Sequence, residues 1–335
     1  MQKRKLGFTD SYLTTVGLGA WAIGGGEWYW GWGAQDERES IETINRALDL
    51  GINWIDTAAA YGLGKSEEII GRAIAGRRDE VFIATKCGLV WGDDPTEDVT
   101  PSLKAGSVRK EAEDSLSRLN VDVIDLYQVH WPTPDEDLEE GWGVIADLVK
   151  EGKVRYAGGC NFDVSHIKRV NPIHPIASVQ PEYNMLKRGA GDELLPYCAA
   201  NDIGVVAYSP LRSGILTDTF TRARLEALET GDWRRRDPDF QPPRDEINLN
   251  FLEGLHEIAR GPGRPLSQLA IAWVLANPTV TSAIVGARRP SQIEASAPAA
   301  DWRLDDEIWV AIEALLKKRD KELQAAGAFA SDSLR

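Results

Sequence analysis

The chain has 335 residues, 43% of them hydrophobic and 27% charged, with a net charge of −14. Such a composition belongs to a soluble globular protein, and the acidic balance excludes nucleic acid and anionic membrane as general partners. Apolar runs are strand-sized, no apolar signal core follows the basic start MQKRKLGFTD, and Cys87, Cys160 and Cys198 show no paired spacing, so a cytoplasmic protein without disulfide framework or metal site is expected.

Short β-rich runs alternate with amphipathic helical runs. After an N-terminal β-hairpin, the first strand is read at TVGLGAW. Gly17, Gly19 and Ala22 have the G-x-G-x-x-A spacing of a dinucleotide-binding turn, which requires a helix directly afterwards. The run continues instead into GGGEWYWGWG, which is unfit for a helix. Asp36–Leu50 then places Ile41, Ile44, Ala47 and Leu48 on one face, with Gly51 as its stop. Further strands are expected at INWID, VFIATK, VDVIDLYQVH, KVRYAGGCNF, ASVQPEYN, GVVAYSPL and TSAIVGA. Helices are expected at Ser66–Ile74, Ser102–Leu119, Trp142–Lys150, Asp192–Asn201, Ser267–Asn277 and Ser291–Ala297. The repeated helix, Gly-containing turn and apolar strand predict a parallel sheet with helices outside; about eight strands fit a closed (β/α)8 barrel, with an open doubly wound sheet as the alternative. No linker divides the chain, so residues 1–335 are read as one domain. Residues 217–250 form an inserted excursion with a short helix, suited to cover a cofactor, and residues 320–335 form a tail. The WRRRD cluster at 233–237 is read as a solvated loop face.

In parallel α/β folds the chemistry sits at the carboxyl ends of the strands. INWID ends in Asp56, VFIATK in Lys86 and LYQVH in His130, while Tyr61 lies five residues past Asp56. Singly, each has an ordinary explanation, such as a helix cap for Asp56 or a solvated amine for Lys86. Together they suit carbonyl reduction. Tyr61 would give a proton to the carbonyl oxygen, and the Lys86 ammonium would lower its pKa from about 10. Asp56 would hold Lys86 charged, and His130 would hydrogen-bond the oxygen.

The set Asp56, Tyr61, Lys86 and His130, in the contexts NWIDTAAAYG, FIATK and YQVHWP, strongly resembles the aldo-keto reductase superfamily, and the resemblance runs from GLGAW to IVGARRPSQIE. It implies a single-domain (β/α)8 barrel, a nicotinamide cofactor, commonly NADPH with NADH as the alternative, and reversible reduction of aldehydes and ketones. By the same resemblance, Asn161 in GGCNF and Gln180 in VQPEYNML would meet the nicotinamide carboxamide, with Cys160 where serine is usual. Tyr208 would stack on the nicotinamide; Ser209, Pro210, Leu211 and Gly214 would approach the pyrophosphate, and Arg212 would contact pyrophosphate or a lid. Gly286, Arg288 and Gln292, with Arg289 as helper, would hold a 2′-phosphate. Ala295 and Ser296 stand where an acidic residue and asparagine usually meet adenine. Gly19, Ala20 and Trp21 would lie at the reactive end of the cofactor. Trp21, Trp28, Trp30, Trp32, Trp91 and Trp131 are expected to wall the substrate pocket, suiting apolar carbonyls or sugars. The alternative function is a catalytically slow, NADP-holding partner protein like the potassium-channel β subunits.

Overall fold

The computed structural model of the chain describes residues 1–26, 28–228 and 232–328. Its centre is a closed barrel of parallel strands: β1 (Val16–Gly19), β2 (Trp54–Asp56), β3 (Phe82–Cys87), β4 (Ile124–Val129), β5 (Val154–Cys160), β6 (Ser178–Gln180), β7 (Gly204–Ala207) and β8 (Val280–Gly286). Spatial order follows chain order, and β8 closes on β1 from the Ala283–Val16 pair to the Gly286–Gly19 pair. This is the expected (β/α)8 barrel; the open sheet is excluded by the closure.

The period of two along each strand decides what fills the barrel. Trp54, Phe82, Ala84, Leu126, Val206 and Ile284 form one buried inner cluster. Leu6 and Leu13 complete it from the N-terminal hairpin, whose strands are Lys3–Lys5 and Tyr12–Thr14, so the hairpin plugs the amino end. Gly17 is required there, because a Cβ would lie 2.0 Å from the Trp54 ring. Two residues further along the strands, the same inward positions carry Asp56, Lys86 and Gln128, and His130 follows β4 on the same phase. One periodicity therefore places an apolar layer below a polar one. Outward residues such as Ile55, Ile83, Tyr127 and Val129 join the helices in the main core.

The outer helices include α1 (Glu37–Asp49), α2 (Lys65–Ala73), α3 (Ala105–Leu119), α4 (Leu138–Lys150), α5 (Val164–Val170) and α6 (Leu194–Ala200). Asp36 caps α1 by accepting from Glu39 N at 2.8 Å, and Gly51 takes φ +84° just after it, as expected. In AANDIGV the left-handed residue is Asp202 rather than the glycine.

Residues 217–250 hold α7 (Arg222–Glu226), two 3₁₀ turns (Trp233–Arg236 and Pro238–Phe240) and the start of α8 (Arg244–Arg260). Then come α9 (Leu266–Ala276), α10 (Pro290–Ser296) and α11 (Asp306–Ala325). Residues 320–325, expected in a tail, thus belong to a helix whose Ile312, Leu316 and Leu323 are buried; 329–335 lie outside the described residues. Among the described residues, no helix is long and apolar enough to cross a membrane.

Candidate active site

Four of the expected side chains meet at the carboxyl end of the barrel. Lys86 Nζ donates to Asp56 Oδ2 at 2.7 Å, to Thr57 O at 2.8 Å and to Tyr61 Oη at 3.2 Å. Three acceptors match its three N–H bonds, which makes complete burial of this ammonium tolerable. His130 lies across Tyr61, ring centroids 5.7 Å apart and nearly perpendicular. Tyr61 is delivered by the turn before α2. Gly62 in that turn has φ +63°, and a Cβ there would sit 2.0 Å from Gly24 O. The 3₁₀ turn Trp21–Gly24 therefore packs backbone to backbone against the Tyr61 turn. That is a structural use of the glycine-rich run, and among the described residues no helix begins between Gly24 and Glu37.

Burial is the largest influence on Tyr61 and raises its pKa above 10; Lys86 pulls down and Asp56 pushes up. The side chain is only half-buried, yet Trp21, His130 and the Lys86–Asp56 pair leave its phenolate poorly hydrated. This corrects the expected lowering: Lys86 offsets burial only in part, and Tyr61 is a protonated phenol at neutral pH. For Lys86, burial pulls the pKa down, but Asp56, then Tyr61 and Cys160, outweigh it, and the ammonium is retained. His130 is driven well below its usual value by burial and then by Lys86, so its imidazole is neutral.

Asp56 is supported from behind. Gln180 Nε2 donates to its Oδ1 at 2.7 Å and Gln128 Nε2 at 3.5 Å. Gln180 thus faces Asp56 where a carboxamide contact was expected. Gln128 was missed, although it stands two residues before His130 on the inward phase. Asn161, at φ +60°, donates to His130 O at 3.0 Å and accepts from Tyr208 Oη at 2.9 Å. Burial pushes the Cys160 thiol up to about 12, and its Sγ lies 3.5 Å from Gln180 Oε1.

Beyond β7, Ser209, Arg212, Ser213 and Gly214 all have positive φ, a strained path for three non-glycine residues. Arg212 holds this path in place. Its buried guanidinium donates to Asp239 at 2.8 Å and to both oxygens of Asp237, with Glu182 at 3.6 Å. Its Nε and Nη2 are thus engaged by the turn that carries Asp237 and Asp239. Pro210 is buried, Leu211 is partly so, and Gly214 and Gly286 leave open space where a Cβ would point. Gly19 pairs with both Gly286 and Asp56, and Ala20 N donates to Asp56 O, so β1 ends beside the polar layer. Gln292 Oε1 caps Arg288 N at 2.7 Å, Ser296 is buried, and Arg289 is exposed.

The aromatic wall differs from expectation. Trp21 stacks on Tyr61 at 6.2 Å and on Trp233 at 5.4 Å, and Trp32 stands edge-on to both Trp21 and Trp233. Trp30 meets the edge of Trp233. Trp233, from the excursion, was missed as a wall residue. Of the arginines beside it, Arg235 and Arg236 are exposed, as a solvated loop face would have them, but two also meet rings: Arg234 lies over the Trp32 ring at 5.1 Å, and Arg236 over Tyr29 at 4.7 Å and Trp30 at 5.5 Å. Cation–π attraction to the clustered rings explains that placement. Trp91 is drawn instead over Arg118, which bonds Glu67 among the outer helices. Among the described residues, Trp28, Trp91 and Trp131 make no ring contact with this cluster.

Comparison with known proteins agrees with this geometry. Residues 15–317 match the Aldo/keto reductase family. The chain is 38% identical over 320 residues to the aldo-keto reductase YhdN of Bacillus subtilis, covering 95% of this chain and 94% of that protein. It is 36% identical over 320 residues to the NADH-specific methylglyoxal reductase of Escherichia coli, covering 91% and 95% respectively. A solved structure of the glycerol dehydrogenase AKR11B4 from Gluconobacter oxydans superposes with a TM-score of 0.86 at 35% identity, covering 99% of this chain and 98% of that one. A barrel that sets a tyrosine against a buried lysine–aspartate pair, and a match along nearly its whole length, make this chain a member of the aldo/keto reductase family.

Proposed function

We propose that this protein reduces a small carbonyl compound to the alcohol, with a nicotinamide dinucleotide as hydride donor and Tyr61 as general acid. The observation that carries the assignment is the 3.2 Å contact between Tyr61 Oη and an ammonium that Asp56 keeps charged. The dinucleotide supplies a hydride to the carbonyl carbon when bound. Open space beside Gly214 and Gly286, and the small residues Gly19 and Ala20 next to Asp56, suit a flat cofactor crossing the barrel mouth. Asn161, Gln180, Tyr208 and Ser209 are the residues proposed to hold it.

The proton follows from the residues alone. Tyr61 stays protonated until negative charge builds on the carbonyl oxygen, then releases its proton to it. Lys86 stabilises the phenolate left behind, and Asp56 keeps Lys86 from losing its own proton. Neutral His130 orients the oxygen by hydrogen bonding. Trp21, Trp32 and Trp233 set apolar rings beside Tyr61, which suits small aldehydes and short hydroxycarbonyls, with sugar aldehydes as larger members of that class. The Escherichia coli methylglyoxal reductase and the Gluconobacter oxydans glycerol dehydrogenase point the same way.

The sequence at 286–292 favours NADPH. NADH is the second reading, favoured by the engagement of the Arg288 guanidinium with residues 32–35. A steady-state screen of methylglyoxal, glyceraldehyde and small aldehydes with each cofactor tests the assignment. Turnover with at least one is expected; tight cofactor binding without any turnover would instead support the regulatory alternative.

A further inference from the structure

Arg288 joins the segment after β8 to the aromatic wall. Its Nε donates to Gln35 Oε1 at 2.7 Å, its Nη1 to Trp32 O at 3.0 Å and its Nη2 to Ala34 O. Gln35 Nε2 returns a bond to Arg288 O at 2.8 Å and another to Ser40 Oγ in α1 at 3.0 Å. Gln292 fixes the Arg288 backbone from the other side. The segment held in this way has little regular structure of its own. Among the described residues between the Trp21–Gly24 turn and α1 there is neither helix nor strand, and Trp32 N reaches Gly25 O only at 3.4 Å. Trp32 is the residue that turns this tether into pocket shape. Its ring stands at 85° to Trp21, 5.2 Å away, and at 81° to Trp233, 5.5 Å away, while Trp21 stacks on Tyr61.

We propose that Arg288 is a positioning residue for the carbonyl pocket: it anchors the Trp32–Gln35 segment, and through Trp32 it sets the Trp21–Trp233 stack beside Tyr61. The inference rests on Tyr61 marking the carbonyl site. It separates Arg288 from a role confined to the cofactor's adenosine phosphate, and it makes a 2′-phosphate and the pocket wall compete for one guanidinium.

The test uses Arg288→Ala and Gln35→Ala with NADH, which has no 2′-phosphate. Both variants should raise the KM of the small aldehyde that wild type turns over by about 5- to 20-fold. For Gln35→Ala, which lies outside the catalytic and cofactor-binding sets, the kcat should stay within about threefold and NADH affinity within about twofold, because Tyr61 and Lys86 are untouched. Without any ligand, both should shift tryptophan emission to the red and increase its quenching by acrylamide. An unchanged aldehyde KM with NADH in both variants, with losses confined to NADPH binding, overturns the proposal. If Arg288→Ala does not fold, Gln35→Ala decides alone. If no carbonyl is turned over by wild type, the site assignment fails, and the ligand-free fluorescence still decides the tether: unchanged emission and quenching overturn it.

Discussion

Replacing Asp56 by asparagine removes one charge and leaves its partner in place. Lys86 is fully buried and the Asp56 side chain is 4% exposed, so solvent cannot substitute for the lost carboxylate. Breaking a buried pair from one side costs about 3–5 kcal/mol. The upper end coincides with the escape route open to the protein, since deprotonating an ordinary lysine at pH 7 costs about 5 kcal/mol. Thr57 O still accepts from Nζ and the asparagine carbonyl can replace one oxygen, which favours the lower half of that range. Guanidinium unfolding at pH 7 measures the loss. The sign of its pH dependence is fixed: with the carboxylate gone, burial depresses the folded-state pKa of Lys86, the unfolded chain binds more protons, and the deficit shrinks as pH rises toward 10. Turnover should fall by about 10²-fold or more, because Tyr61 loses the charge that stabilises its phenolate. Adding Lys86→Met should restore stability without restoring turnover. A loss below about 0.5 kcal/mol, or a deficit that grows with pH, would refute the view that Asp56 exists to keep Lys86 charged.

Trp233→Ala removes a stacked partner of Trp21 and should raise carbonyl KM about tenfold while cofactor affinity holds, as steady-state kinetics and a binding titration would show. Gly62→Ala places a Cβ against Gly24 O at a positive φ, so it should displace Tyr61, lowering kcat by on the order of 10²-fold with cofactor binding retained. Glu111 is buried, accepts from Gly88 N, and has its pKa raised by burial from 4.5 to about 7. Its contribution is therefore present below pH 4.5 and is lost as pH rises through 7. Wild type should lose roughly 3 kcal/mol between pH 5 and 8 relative to Glu111→Gln, measured by denaturant midpoints; parallel pH profiles would contradict this.

Much of the site was legible because barrel strands alternate strictly. An ionisable residue that ends an apolar run must face either the barrel interior or the helices, and Asp56, Lys86 and His130 share the inward phase. The same phase marks Gln128, and counting back two residues from His130 would have found it. The stripe Ile312, Leu316, Leu323 likewise marks α11. Trp233 was not legible. Its position depends on Arg212 holding Asp237 and Asp239, and on Arg234 and Arg236 resting on rings some 200 residues earlier in the chain. Local sequence carries no trace of such pairings. The pKa of Tyr61 was misjudged because the charge of Lys86 can be read from sequence, whereas the burial that outweighs it cannot.

The most direct test of the central claim is Tyr61→Phe. It removes one hydroxyl and leaves Trp21, His130 and the Lys86–Asp56 pair in place. Single-turnover oxidation of the bound dinucleotide by a small aldehyde, measured beside dinucleotide affinity, should show a rate lowered by about 10²–10⁴-fold and affinity unchanged within about twofold. Reduction at the wild-type rate in this variant would contradict the assignment of Tyr61 as the proton donor.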